Sequence, residues 1–214
     1  IKYSNLTSDN ARYQITFMGY DSSWDSADQI PLRAVQSGLI SHLDSLYDRV
    51  GGESSRYSLS GNYNIDHGDS ATKTNIYGIY YDLNLWSNFT YFLDDPINGD
   101  QFEQADKRMI YGGTIAHTLF DRDFMGSETD HTFGAQVRLD DISDVGLHKT
   151  QNRTRISTIR EDDVLELSLA AYYQNEIRWT DQYRTVFGMR GDYFNFDVDS
   201  DNSANSGKEN DFLL

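Results

Sequence analysis

The sequence predicts an all-β protein, a segment of an antiparallel transmembrane β-barrel, on three observations. Apolar residues recur at every second position in segment after segment, helical spacing is nearly absent, and the connections between the alternating segments are by turns long and short. Antiparallel strands joined in that way put every long loop at one end and every tight turn at the other. This is the plan of an outer-membrane barrel with an apolar outer wall and a polar lumen.

Seven strands are read in order. The first carries Tyr13, Ile15 and Phe17 on one face. In the second, Tyr57, Leu59, Gly61, Tyr63 and Ile65 alternate with Arg56, Ser58, Ser60, Asn62 and Asn64. The third is a run from Tyr77 to Leu93, with Tyr77, Ile79, Tyr81, Leu83, Leu85, Phe89, Tyr91 and Leu93 on the apolar side and Tyr80, Asp82, Asn84, Trp86 and Asn88 opposite. At about 3.4 Å per residue it reaches roughly 55 Å, longer than strands of soluble domains. The other four present Met109/Tyr111/Ile115/Leu119, Phe133/Ala135/Val137/Leu139, Leu165/Leu167/Leu169/Ala171/Tyr173/Ile177/Trp179 and Phe187/Met189/Tyr193.

None of these apolar faces holds an Asp, Glu, Lys or Arg, although 24% of the chain is charged. Arg12, Arg108, Arg138, Asp140, Glu166, Glu176, Arg178, Arg184, Arg190 and Asp192 fall on the opposite sides. Tyr13, Tyr57, Tyr63, Tyr77, Tyr81, Tyr91, Tyr111, Tyr173, Tyr183 and Tyr193 face outward, where an amphipathic ring suits the headgroup level.

The long connections are 20–55, 94–107, 141–163 and 197 onward, and the short ones 66–73, 121–130 and 180–182. The first long loop contains one helical turn opening at Pro31, with Leu32, Val35 and Leu39 on one side, and it ends at Gly51-Gly52. Residues 199–210 read as an acidic, polar loop, after which Asp211-Phe212-Leu213-Leu214 begins a further element. Bacterial barrels close with an even number of strands, so seven strands read as an internal piece of a longer protein, about a third of a large barrel.

Composition removes other classes. With 34 acidic against 18 basic residues the net charge is −16, which repels phosphate backbones and argues against a nucleic-acid partner. The absence of Cys excludes disulfides, thiolate metal sites and cysteine nucleophiles. No apolar run of about eighteen residues is present to make a membrane-spanning helix, and the N-terminus has no signal-peptide pattern. A content of 15 Tyr and 11 Phe is foreign to a disordered acidic polymer.

No catalytic constellation is found, so neither an enzyme nor a cofactor is expected. His42, His67, His117, His131 and His148 are scattered, and metalloprotease, nucleophile-elbow and phosphate-loop patterns are missing. His117 and His131 fall opposite one another about a turn centred on Phe124, a placement that fits an interfacial ring better than a two-ligand metal site. Asp197-Val198-Asp199-Ser200-Asp201 opens like a calcium loop, but Asn202 and Lys208 occupy the positions that need Gly and Glu.

Candidate substrate contacts are the acidic residues Asp94, Asp95, Asp100 and Glu103, suited to a cationic or metal-chelate ligand at the mouth, and Trp24, suited to stacking on a ring or sugar. Solubility and divalent-bridged contact with lipopolysaccharide explain the acids equally well. Asp82, Arg138, Glu176, Arg178, Arg190 and Asp192 are placed on the lumen wall as a ladder of charge, as a watery barrel interior expects. Arg190-Gly191-Asp192 spells an adhesion tripeptide by chance, mid-strand.

Several phrases carry a family resemblance: Asp28-Gln29-Ile30-Pro31-Leu32-Arg33-Ala34-Val35, Gly51-Gly52-Glu53-Ser54-Ser55-Arg56-Tyr57-Ser58-Leu59-Ser60-Gly61, Ser87-Asn88-Phe89-Thr90-Tyr91-Phe92-Leu93-Asp94-Asp95-Pro96 with Gly99-Asp100-Gln101-Phe102, and Arg184-Thr185-Val186-Phe187-Gly188-Met189-Arg190-Gly191-Asp192-Tyr193. Together they resemble the barrel region of TonB-dependent outer-membrane receptors. The resemblance implies a barrel of about 22 strands closed by an N-terminal plug. It also implies uptake of a scarce nutrient (siderophore, cobalamin, metal chelate or oligosaccharide) driven through an inner-membrane energy-transducing protein. The plug, its coupling segment and the closing strands are absent here, so the family's plug-borne substrate residues do not carry over. The implied setting is the outer membrane of a Gram-negative bacterium, among its lipid and lipopolysaccharide.

Two other classes compete. A soluble all-β ligand-binding or adhesion module would fold the same strands into a sandwich, which does not need the long third strand. A porin would share the alternation without these loop phrases, and a lipid-modifying barrel enzyme would need a convergent Ser/His/acid group.

Overall fold

The computed structural model describes residues 1–26 and 28–214. The strands, in chain order, are β1 (Lys2–Ser8), β2 (Ala11–Asp25), β3 (Gly51–Asp66), β4 (Ser70–Ser87), β5 (Phe102–Phe124), β6 (Ser127–Gln151), β7 (Thr154–Thr180), β8 (Tyr183–Ser200) and β9 (Gly207–Leu213). Each pairs antiparallel with the next in one nine-stranded sheet running from β1 at one edge to β9 at the other. The sheet is not closed, since β1 and β9 do not pair with one another.

The seven expected strands are β2 to β8; the element expected to begin at Asp211 is β9, which starts earlier, at Gly207, and β1 has no counterpart in the sequence reading. Both edge strands are seven residues long and exposed throughout, with polar residues on both sides, so neither shows the alternation that a one-sided apolar surface imprints. The expected helical turn exists as α1 (Leu32–Gln36), with Pro31 at its N-cap position. The long and short connections alternate as expected at 20–55 and 94–107, and at 197 onward only over 201–206, since 197–200 belong to β8 and 207–213 to β9. The exception is 141–163, expected as a loop. It forms the far ends of β6 and β7, joined by a two-residue turn in which Asn152 and Arg153 have φ of 53° and 65°. This stretch is polar on both sides, and a strand with no apolar face leaves no period-two signal.

The third expected strand is corrected in span and in orientation. β4 ends at Ser87, so Phe89, Tyr91 and Leu93 lie in the following turns. Its register pairs Tyr57 with Tyr80, Leu59 with Gly78, and Tyr80 with Met109. Directly opposed residues share a face. The face of Tyr57 and Leu59 is therefore continued by Ile76, Gly78 and Tyr80, while Tyr77, Ile79, Tyr81, Leu83 and Leu85 lie on the other. β4 is apolar on both sides, and periodicity alone does not orient such a strand.

With that correction, one face of β2 to β8 is apolar and the other is mainly polar outside β4. The apolar face has no second layer among the described residues, and Leu59, Ile76, Phe133 and Phe187 are 50–63% exposed on it. Buried apolar residues among those described are Ala11, Ala34, Val50, Trp86, Ala105 and Ile142. Small side chains at Gly113, Ala135, Ala171 and Gly191 leave a shallow apolar depression of about 620 Å³ in the middle of this face.

Two aromatic bands flank that depression and run obliquely across the ladder. The band nearer the loops descends from Tyr57 and Tyr80 through Tyr111 to Tyr193 and Phe212; the one nearer the turns, from Tyr13 and Tyr63 through His117, Phe133 and Tyr173 to Phe187. Following the register from Tyr80 through Met109, Asp141 and Leu165 leads to Asp197, four residues beyond Tyr193. A four-residue descent over the five strand spacings from Tyr57 on β3 to Tyr193 on β8 is a slope of about 30°, in the sense of the strand tilt of closed barrels. The separation of the bands stays at six residues on β3 (57 to 63), β5 (111 to 117) and β8 (187 to 193), roughly 20 Å along the strand.

The polar face is organised by ion pairs within single strands. Arg138 donates to both oxygens of Asp140 at 2.6 and 2.9 Å, Arg160 pairs with Asp162 at 2.5 Å and Arg190 with Asp192 at 2.7 Å, while Arg108 pairs with Asp106 in the same manner. Residues two apart on a strand point to the same side, which makes each pair self-contained.

Candidate ligand site at the loop end

At the loop end of the polar face, the β4–β5 connection and the far ends of β6 and β7 enclose a pocket of about 320 Å³. Its apolar walls are Phe89, Phe102, Leu147 and Ile159, and its polar lining includes Thr90, Asp94, Asp100, Gln101 and Lys149. The rings of Phe89 and Phe102 meet edge to face at 5.4 Å. Ile159 reaches the pocket through a β-bulge. Consecutive His148 and Leu147 on β6 oppose Thr158 and Arg160 on β7, so Ile159 is the inserted residue.

The β4–β5 loop is held by its own side chains. Asp100 accepts backbone N–H groups from Leu93 at 2.8 Å, Asp94 at 3.1 Å and Asp95 at 2.7 Å. Asp95 accepts those of Ile97 at 3.0 Å and Asn98 at 2.9 Å. The N–H groups and side-chain amide of Asn98, the N–H of Ile97, and more weakly the field of Lys149 hold the Asp95 carboxyl below the usual carboxylate range. Partial burial opposes ionisation of Asp100, but the N–H groups of Asp95, Asp94 and Leu93 and the hydroxyl of Thr90 together outweigh it, and its carboxyl also lies low. Both are loop-building groups that stay ionised. Asp94 differs, because its carboxylate makes no hydrogen bond or ion pair among the described residues.

A polar clamp fastens this loop to its neighbours. Gln101, 1% exposed, donates to the carbonyl of Arg49 at 2.9 Å and accepts from the Thr150 hydroxyl at 3.1 Å and the Arg153 N–H at 2.8 Å. Arg153, at the tip of the β6–β7 turn, donates to Asp25 at 2.6 Å and to the carbonyls of Arg49 and Val50 at 3.1 Å. Its guanidinium also lies 5.1 Å from the ring centre of Trp86. One arginine thus ties the β2–β3 connection, the end of β4 and the β6–β7 turn together.

Of the expected substrate contacts, Asp94 and Asp100 line the pocket and Asp95 braces its loop. Glu103 and Trp24 are not brought to it. Glu103 is on β5 rather than in a loop, is 3% exposed, and is gripped by Arg155 at 2.8 and 2.9 Å. The Trp24 ring fills the space above Gly52. Phe89, Leu147, Lys149 and Ile159 were not foreseen.

Of the six charges placed on one wall, Arg138, Glu176, Arg178, Arg190 and Asp192 do share the polar face. Asp82 does not: it is opposed by Ser55 and Lys107 on the apolar side, above the aromatic band, where Tyr80 donates to it at 2.7 Å. This follows from the reversed orientation of β4. His117 and His131 are not directly opposed, since His117 faces Phe133 and Leu119 faces His131. His117 bonds the Thr72 hydroxyl at 2.9 Å and His131 the Tyr173 hydroxyl at 2.7 Å. Among the described residues no three His or acidic side chains converge on a metal position.

Neither protein-family models nor curated proteins match this chain. The site must therefore be read from its own chemistry.

Proposed function

We propose that this chain is a stretch of the wall of a Gram-negative outer-membrane β-barrel, part of an energy-coupled receptor of the TonB-dependent kind that imports a scarce nutrient. The observation that carries the reading is the pair of oblique aromatic bands on an exposed apolar sheet face. Interfacial girdles cross tilted strands at a slope of this size, and a surface sheet in water has no reason to keep two such lines parallel. The position of the loops agrees, with every long connection at one end.

Strand polarity supports a larger barrel. Nine antiparallel strands leave β1 and β9 running in the same direction, so the sheet cannot close on itself as an all-antiparallel ring. Closure needs a further odd number of strands. In this reading the polar face lines the lumen and meets a plug, through which an inner-membrane protein delivers force. The apolar face meets lipid and lipopolysaccharide, and the wall does no covalent chemistry. A soluble sandwich is less well supported, because all nine strands lie in one sheet.

The test is to purify the chain from membranes with and without detergent and to record circular dichroism alongside its mass in solution. A β-rich spectrum that requires detergent is expected. A monodisperse, β-rich monomer in plain buffer would remove the barrel reading.

A further inference from the structure

We infer that the loop-end pocket binds an amphipathic organic cation, a single aromatic or aliphatic ring carrying an ammonium group; the inference rests on the receptor reading, which it makes more specific. The walls provide the ring's half of the recognition. Phe89 and Ile159 are 58% and 50% exposed although they are large and apolar, and both line a cavity at the lower end of small-molecule site volumes. With Phe102 and Leu147 they make an apolar slot at the loop end of this face. Phe89 is an exposed aromatic ring in the lining of the slot, the side-chain type that can contact a cation through its π-system.

The charge of the slot provides the other half. Asp94 and Asp100 line it against a single cation, Lys149, whose field is already felt by Asp95 just behind. Asp100 and Asp95 are committed to backbone N–H groups, as described above. Asp94 is left as the one carboxylate in the slot with no internal partner among the described residues. An anionic ligand would meet this excess of negative charge, whereas a cation with an apolar body satisfies the walls and Asp94 together.

The experiment uses the full chain in an uncharged detergent, with binding followed by saturation-transfer NMR and titration calorimetry. Benzyltrimethylammonium is the probe; phenylacetate reverses its charge and tetramethylammonium removes its ring. The ringed cation is expected to bind, with tetramethylammonium and the Phe89→Ala variant weaker by about fivefold. Asp94→Asn is expected to weaken it by about three- to fivefold, and Asp123→Asn, an acid at the opposite, turn end of β5, to leave it unchanged. Circular dichroism checks that each variant keeps its strands. Equal or tighter binding of phenylacetate overturns the inference, as does equal binding of tetramethylammonium, indifference to Asp94→Asn, or no binding of the probe. The receptor reading fails separately: a detergent-free monomer that binds the probe with these preferences keeps the site and discards the barrel.

Discussion

The ring of Tyr77 lies across Gly112, its cross-strand partner, in the space that a β-carbon at position 112 would occupy, and Tyr172 covers Gly134 in the same way. Both pairs lie on the polar face, where glycine exposes backbone and a neighbouring ring restores cover. Gly112→Ala must displace the Tyr77 ring, and the expected cost is about 1–3 kcal/mol, read from urea unfolding in detergent. Adding Tyr77→Ala should return part of that loss, since the two changes are coupled.

Leu59 and Ser60 are neighbours on β3 that face opposite sides, and they separate the membrane reading from a soluble one. Leu59→Arg places a charge between the aromatic bands and should cost about 2–4 kcal/mol in a bilayer, while Ser60→Arg should stay near neutral. Folding into lipid vesicles, followed by gel mobility of the folded form, measures both. Equal tolerance of the two arginines would be the behaviour of a sheet in water.

Arg153→Ala removes the bonds to Asp25, Arg49 and Val50 and the cover over Trp86 in one step. The expected loss is about 1–3 kcal/mol of local stability, seen as faster hydrogen exchange at Ser26, whose N–H bonds Val50, and in the β4–β5 loop. The turn-end hairpins should be unaffected.

Acid should loosen the β4–β5 loop from within. The carboxyls of Asp95 and Asp100 are lowered in the folded chain, so their stabilisation is complete above the unfolded value of about 3.9 and is lost as pH falls through the lower folded values. Amide resonances of Leu93, Asp95, Ile97 and Asn98 should shift together with a midpoint below about pH 4. A midpoint near pH 6 would mean that these carboxylates do not hold the loop.

The parts of this fold that could be read in the sequence are those where one face differs from the other. β3 and β7 alternate cleanly, and their registers agree with the reading of Tyr57 and Leu169 on one face. β4 does not, because Ile76 and Tyr80 are as apolar as Tyr77 and Ile79; only its neighbours decide the orientation, and Asp82 went with it. The loop-end parts of β6 and β7 carry polar residues on both sides, some of them buried, and so show no apolar period. Asp94 and Asp100 were legible as acids near a mouth. Their pocket was not, since Phe102, Leu147 and Ile159 are gathered by cross-strand register and by one bulge.

The intrastrand pairs of the polar face have an effect at a distance. Each of Arg108, Arg138, Arg160 and Arg190 is neutralised by a carboxylate two residues away, so these pairs contribute little net field. Uncompensated charge gathers instead at the rim, where Asp163 directly opposes Asp199 and neither, nor Asp94, Glu161 or Asp201, has an ion pair among the described residues. A cation drifting past would be drawn in before it touched any side chain, and its arrival rate would fall steeply as added salt shortens the reach of that attraction.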